Sequence, residues 1–351
     1  MTSPYADLPP RAFWRSAVAG RGGAAPVDVW QPKFAITPQT RIVTAGSCFA
    51  QHVGRALRQA GFSVMDTEPL PPEIPDAVAQ HFGYRLYTAR YGNIYTVRQL
   101  WQLIRESRGK LAPALPVWER DGRFFDAQRP GVEPDGLDSA EQVLAHRAEH
   151  LAAVRQAFGR AEVLVFTFGL TEAWLHRVSG TVYPTAPGTL AGQFDPEVFA
   201  FHNFDVTEVL EDFERVRGML RTRNPGMRFL VTVSPVPLTA TASGQHVEVA
   251  TAYSKAVLRT VCGTLAARHD DVDYFPSYEI ITSQAARGQF YDANLRNVTE
   301  RGVETAMRLF LQAQGIMAGE GAAAQPDAAA SVHEPGADVV CEDALLEAFA
   351  R

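Results

Sequence analysis

A three-layer α/β/α domain with a mainly parallel sheet is the fold this sequence predicts. Short, apolar, β-branched runs alternate with helical spacing from about residue 40 to residue 315, the pattern of a sheet covered by helices on both faces. At 351 residues and 46% hydrophobic, the chain can bury one large core, with substantial insertions. Cys48, Cys262 and Cys341 are far apart and odd in number, which argues against a disulfide framework and against a CxxC metal site.

Residues 41–45 form the first strand, stopped by Gly46. Residues 49–60 carry apolar side chains at 49, 53, 56, 57 and 60 and stop at Gly61, as a C-terminal glycine stops a helix. Residues 62–65 read as the second strand, and an amphipathic helix starts near Val97. Further strands are expected at 163–168, 229–233 and, more weakly, 272–275. Residues 139–158, 205–222, 246–268 and 300–314 have helical spacing, and Ser139 followed by Gln142 is a capping-box candidate.

Residues 1–39 are expected to be an N-terminal extension packing on the core, and 40–316 the α/β domain. Insertions near 109–138 and 176–200 are rich in Gly, Pro and charge. They are expected to cover the active face, since the carboxyl ends of parallel strands are where such sheets hold ligands. Residues 317–351 read as a flexible linker and C-terminal tail, with apolar spacing regained at Leu345, Leu346 and Phe349.

A formal charge of -6 and a pI near 5.9 give no electrostatic support for nucleic-acid or anionic-membrane binding. No apolar run reaches the roughly 18 to 20 residues that span a bilayer, and the N-terminus lacks a basic segment followed by an apolar one, so a cytoplasmic location is the expectation. No cofactor motif is read, and the oligomeric state is open.

Four segments could carry chemistry, three at expected strand ends and one just before the helix that starts near Val97. Gly46-Ser47-Cys48-Phe49-Ala50 joins the first strand to a helix: Ser47 there is either a nucleophile beside helix N-terminal amides or a helix cap. Cys48, one residue into the helix, reads as a core thiol. Tyr91-Gly92-Asn93-Ile94-Tyr95-Thr96 can aim the backbone amides of Gly92 or Asn93 at a common point. Phe168-Gly169-Leu170-Thr171-Glu172-Ala173-Trp174 closes the most apolar strand, and Ser234-Pro235-Val236-Pro237 ends another.

In these segments the chain resembles the GSCFA family, a branch of the SGNH/GDSL-like hydrolases. GSCFA, YGNIYT, FGLTEAW, SPVP and the late FYDANLRNVT stretch fall in the family order over roughly residues 30–315. The resemblance implies a flavodoxin-like, SGNH-type sheet and a serine esterase or acyltransferase acting on O-acyl esters, with Ser47 as nucleophile. It implies a small-molecule or carbohydrate ester as substrate. Gly92, Asn93, Gly169 and Thr171 are then oxyanion candidates. Related hydrolases have Gly-x-Asn-Asp where this chain has Gly169-Leu170-Thr171-Glu172. The threonine hydroxyl can donate, whereas ionised Glu172 cannot, so Glu172 is expected to orient a histidine, to bind a substrate hydroxyl or to cap a following helix.

Many such hydrolases bring the base in a late Asp-x-x-His motif. Here that register holds Asn294-Leu295-Arg296-Asn297, and Asn297 has no basic nitrogen. The base is therefore expected at His246, or else at His202, with His52 a further candidate. The alternative is a ligand-binding member of the fold that has lost its catalytic histidine. His146 and His150 stand one turn apart on a helix, but no acidic residue completes a metal motif, and a solvated face is expected there.

Overall fold

The computed structural model describes residues 3–21, 26, 28–316 and 342–350. Its strands are β1 (Ile42–Gly46), β2 (Val117–Arg120), β3 (Arg123–Asp126), β4 (Val163–Phe168), β5 (Glu172–His176), β6 (Val182–Tyr183), β7 (Phe199–Asn203), β8 (Arg228–Val233) and β9 (Val272–Tyr274). The central sheet is parallel throughout, in the order β1-β4-β8-β9. The expected strand at 62–65 shrinks to one parallel bridge, Ile42 with Val64, on the outer side of β1. With that bridge the spatial order is that of a doubly wound sheet, with its topological switch point between β1 and β4.

Alternation along the strands builds the layers. Val43, Ala45, Leu164, Phe166, Phe168, Phe229, Val231 and Val233 face one way, toward helices Val97–Ser107, Ala140–Arg160, Val206–Arg223 and Val247–Arg268. Ile42, Val163, Val165 and Leu230 face the other way, toward helices Phe49–Gln59 and Glu300–Ala313. A sheet covered on both faces has strands apolar on both faces, which is why these runs read as nearly continuous hydrophobic segments.

The insertions carry sheets of their own. β2 and β3 form an antiparallel hairpin inside the 109–138 stretch, and β5 pairs antiparallel with β6 and β7. Glu172 therefore opens a strand and caps no helix, which corrects the helical alternative for that residue. The Ser139 side chain accepts the Gln142 N–H, but the Gln142 side chain turns to the Asp138 N–H, so the box is half formed. The complete capping box is at Asp205 and Glu208.

Trp30 stacks on Phe310 and lies edge-on to Phe275, its indole N–H donating to Asp273, while Ile36 is buried in the lower core layer. That part of the extension packs on the domain. The expected linker at 317–337 lies outside the described residues; beyond it, Glu342–Phe349 is a 3-10 helix. Among the described residues no helix is long and apolar enough to cross a membrane.

Candidate active site

β1 ends in a glycine because nothing larger fits. Gly46 has φ of 140° and lies opposite Thr167 in the β1–β4 register. A Cβ there would collide with the Thr167 carbonyl oxygen and lie 2.8 Å from its N and Cβ. The chain then turns directly into helix Phe49–Gln59, whose N-cap position is Cys48, not Ser47. Ser47 donates its N–H to the Thr167 carbonyl at 3.3 Å, and its own carbonyl accepts the Ala50 N–H at 2.8 Å. The side chain is 3% exposed, and its Oγ has no hydrogen-bond partner among the described residues. Ser47 is thus not a capping serine: the hydroxyl is buried and unspent.

The Tyr91–Thr96 turn is stitched to this strand end. Ile94 donates its N–H to the Gly46 carbonyl at 2.8 Å. Gly92 takes φ of 66°, a conformation that glycine adopts without strain. Asn93 is buried, its Oδ1 accepting from the Tyr87 hydroxyl at 2.5 Å and from Gln51 Nε2 at 3.2 Å. The Tyr87 hydroxyl also lies 3.2 Å from the Ser47 carbonyl. The Tyr95 carbonyl accepts two N–H groups, from Gly169 at 3.2 Å and Leu170 at 2.9 Å. Those two amides are committed, so what the third segment can offer a ligand is the Thr171 hydroxyl, fully buried and unpartnered. Thr167 Oγ1, on the residue opposite Gly46, is unpartnered too. Buried hydroxyls are normally satisfied, and unsatisfied ones gathered at a strand end mark a place where something polar belongs.

Gly169 serves by its size. A Cβ on it would lie 2.7 Å from Ser47 Cβ and 2.9 Å from the Tyr95 carbonyl oxygen. Glu172 is half-buried at the start of β5; its Oε1 accepts from Thr241 Oγ1 at 2.7 Å, while burial pushes its carboxyl above the ordinary range against that bond. Ser47, Asn93 and Gly169 are therefore brought together, with Thr171 and Glu172 following Gly169 in the chain.

The three candidate histidines make their contacts elsewhere. His246 is the N-cap of helix Val247–Arg268, largely exposed, its Nδ1 accepting the Glu248 N–H at 3.3 Å. His202 lies on β7, its Nε2 2.9 Å from Glu208 Oε1. His52 is held to a pKa of about 4 by burial and then by the Arg55 charge. None hydrogen-bonds Ser47. Asn297 is exposed in a local turn where Asn294 Oδ1 accepts its N–H at 3.0 Å.

His150 corrects the solvated-face expectation. It is 1% exposed, its Nδ1 2.8 Å from Glu68 Oε2, and burial holds it to a pKa of about 4. Glu68 accepts the Arg90 N–H at 2.6 Å and Arg129 donates to the Arg90 carbonyl at 3.0 Å, so this charged layer braces the turn that carries Gly92 and Asn93. Among the described residues no cluster of His, Cys, Asp and Glu could hold a metal ion.

A doubly wound α/β protein with a buried serine at its switch point, flanked by the turn after β4 and the turn before helix Val97–Ser107, is the class that fold and site define. The chain belongs to the GSCFA family, whose model matches residues 41–310. No curated protein matches it.

Proposed function

We propose that this protein is an acyl-transfer enzyme, an esterase or acyltransferase acting on O-acyl esters, with Ser47 as nucleophile. The observation that carries the reading is the Ser47 hydroxyl: buried, without a hydrogen-bond partner among the described residues, free of any capping role, and set at a helix N-terminus against Gly169. Attack of Ser47 Oγ on an ester carbonyl forms a tetrahedral oxyanion; the Thr171 hydroxyl and the amides at the helix start and the Gly92–Asn93 turn are the donors assigned to it. The alcohol leaves with a proton, and water or a second alcohol releases the acyl group from the serine. Catalytic hydrogen bonds commonly tighten only around substrate, so His202 and His246 stay under test as proton carriers by substitution to Gln.

A second reading has its own observation: among the described residues no base hydrogen-bonds Ser47 Oγ, and Asn297 stands where related enzymes have histidine. In that reading the protein binds an ester or a polyol without turning it over. Labelling by a fluorophosphonate, beside hydrolysis of p-nitrophenyl acetate, separates the two. Labelling and turnover in the wild type that vanish in Ser47→Ala support the enzyme; neither signal in either protein supports the binding reading.

A further inference from the structure

Helix Val247–Arg268 buries a stripe that includes Ala250, Leu258, Val261 and Leu265, and within that stripe lie two polar residues, Ser254 and Lys255. Ser254 Oγ accepts the Thr171 N–H at 3.1 Å. Lys255, 2% exposed, donates from Nζ to the Gly169 carbonyl at 2.8 Å. Adjacent side chains thus grip the first and third residues of Gly169-Leu170-Thr171, the segment that packs against Ser47 Cβ. Lys255 thus brings a buried ammonium, shielded from bulk water, to the turn that packs on Ser47. The Gly169 and Leu170 amides are bonded to Tyr95 and are not donors for charge at position 47.

We propose that Lys255 is the charged positioning residue of the Ser47 site. With Ser254 it fixes the Gly169–Thr171 turn, and its ammonium stabilises negative charge developing at position 47. Its part in turnover rests on the acyl-transfer reading; the electrostatic relation between the two positions does not.

The test replaces Ser47 by cysteine and reads the thiol pKa from the pH dependence of its reaction with methyl methanethiosulfonate. Tandem mass spectrometry assigns the modification to position 47, apart from Cys48. The expected pKa is at least one unit below the ordinary value of about 8.5. It rises by about one unit or more in S47C/K255M and in S47C/K255Q, and returns in S47C/K255R. S47C/S254A, which weakens the clamp and leaves the charge, moves it by less than half as much. A pKa at or above the ordinary value in Ser47→Cys alone overturns the proposal even if the Lys255 variants do not fold, as does an equal pKa with and without the charge. A depressed pKa together with no fluorophosphonate labelling of the wild type would retire the acyl-transfer reading and leave this relation standing.

Discussion

Gly169 presses so closely on Ser47 that a methyl group added to it would lie 2.7 Å from the Ser47 Cβ. The alternative direction is closed by the Tyr95 carbonyl, 2.9 Å away. Gly169→Ala must therefore push Ser47 aside or lift the Tyr91–Thr96 turn. Overpacking of this kind costs about 1–3 kcal/mol. Displacing a nucleophile by an ångström can cost about 100-fold in rate. The expected outcome is a folded protein, a few degrees less stable, whose fluorophosphonate labelling rate falls by that factor. Unchanged labelling would mean that Ser47 does not need its present position.

Gly46→Ala is expected to do more damage to stability. The added carbon meets backbone, the Thr167 carbonyl and N, and the φ of 140° is one that side chains resist. Strain and collision together amount to about 2–5 kcal/mol. Because the contact lies within the β1–β4 ladder, the loss appears in the cooperative unfolding transition itself. Urea midpoints of the Gly46→Ala and Gly169→Ala proteins, compared side by side, check the order.

Acid should weaken the protein in a window set by two histidines, His52 half-buried and His150 buried. Burial, joined by the Arg55 charge, holds His52 to about 4; burial, joined by the Arg129 charge and opposed by Glu68, holds His150 to about 4. Both ordinary values are about 6.5. Between these limits the unfolded chain binds up to two more protons than the folded one, so stability rises with pH from about 4 to 6.5 and is complete above it. Urea midpoints should therefore fall between pH 7 and pH 4.5, and His52→Leu should remove about half of the slope. A flat profile over that range would show that neither histidine is held neutral.

Most of the fold was legible because each buried strand is short, apolar and β-branched, and each long helix carries an interrupted apolar stripe. The edge at Val64 was overread: the Phe62–Met65 pattern is that of a strand, yet only Ile42 pairs with it. β5 and β7 were missed as strands because their aromatic residues sit in a stretch dense with turn formers, and their pairing is with each other. At the candidate site, Ser47, Gly169 and Thr171 are singled out in the sequence by following apolar strands, and Asn93 by its glycine turn before an amphipathic helix. Tyr87 and Gln51 could not, since their partners are fixed by tertiary approach. Lys255 did leave a signal: a lysine inside a helix's apolar stripe is rarely buried without a task.

Arg147 provides the last test, of whether the charged layer behind the Tyr91–Thr96 turn is held together by pairing. It is 4% exposed, donates to both oxygens of Asp126 at 2.9 and 3.0 Å, and forks onto Glu106. Burial alone would raise the Asp126 carboxyl; Arg147 and then Arg129 hold it instead at about 2. Arg147→Met strands Glu106 and leaves Asp126 to Arg129 alone, an expected cost of about 3–5 kcal/mol. A second change, Glu106→Gln, removes the stranded charge, so the double variant should be more stable than Arg147→Met alone by about 1–2 kcal/mol. The sign of the pH effect follows from the same carboxylate. In the wild type Asp126 contributes stability above its unfolded pKa and loses it as pH falls toward 2; in Arg147→Met that advantage is reduced, and mild acid should destabilise the variant less than the parent. Thermal melts of the three proteins at pH 7 and pH 4 decide it: strict additivity of the two substitutions would mean that Arg147 and Glu106 do not act as a pair.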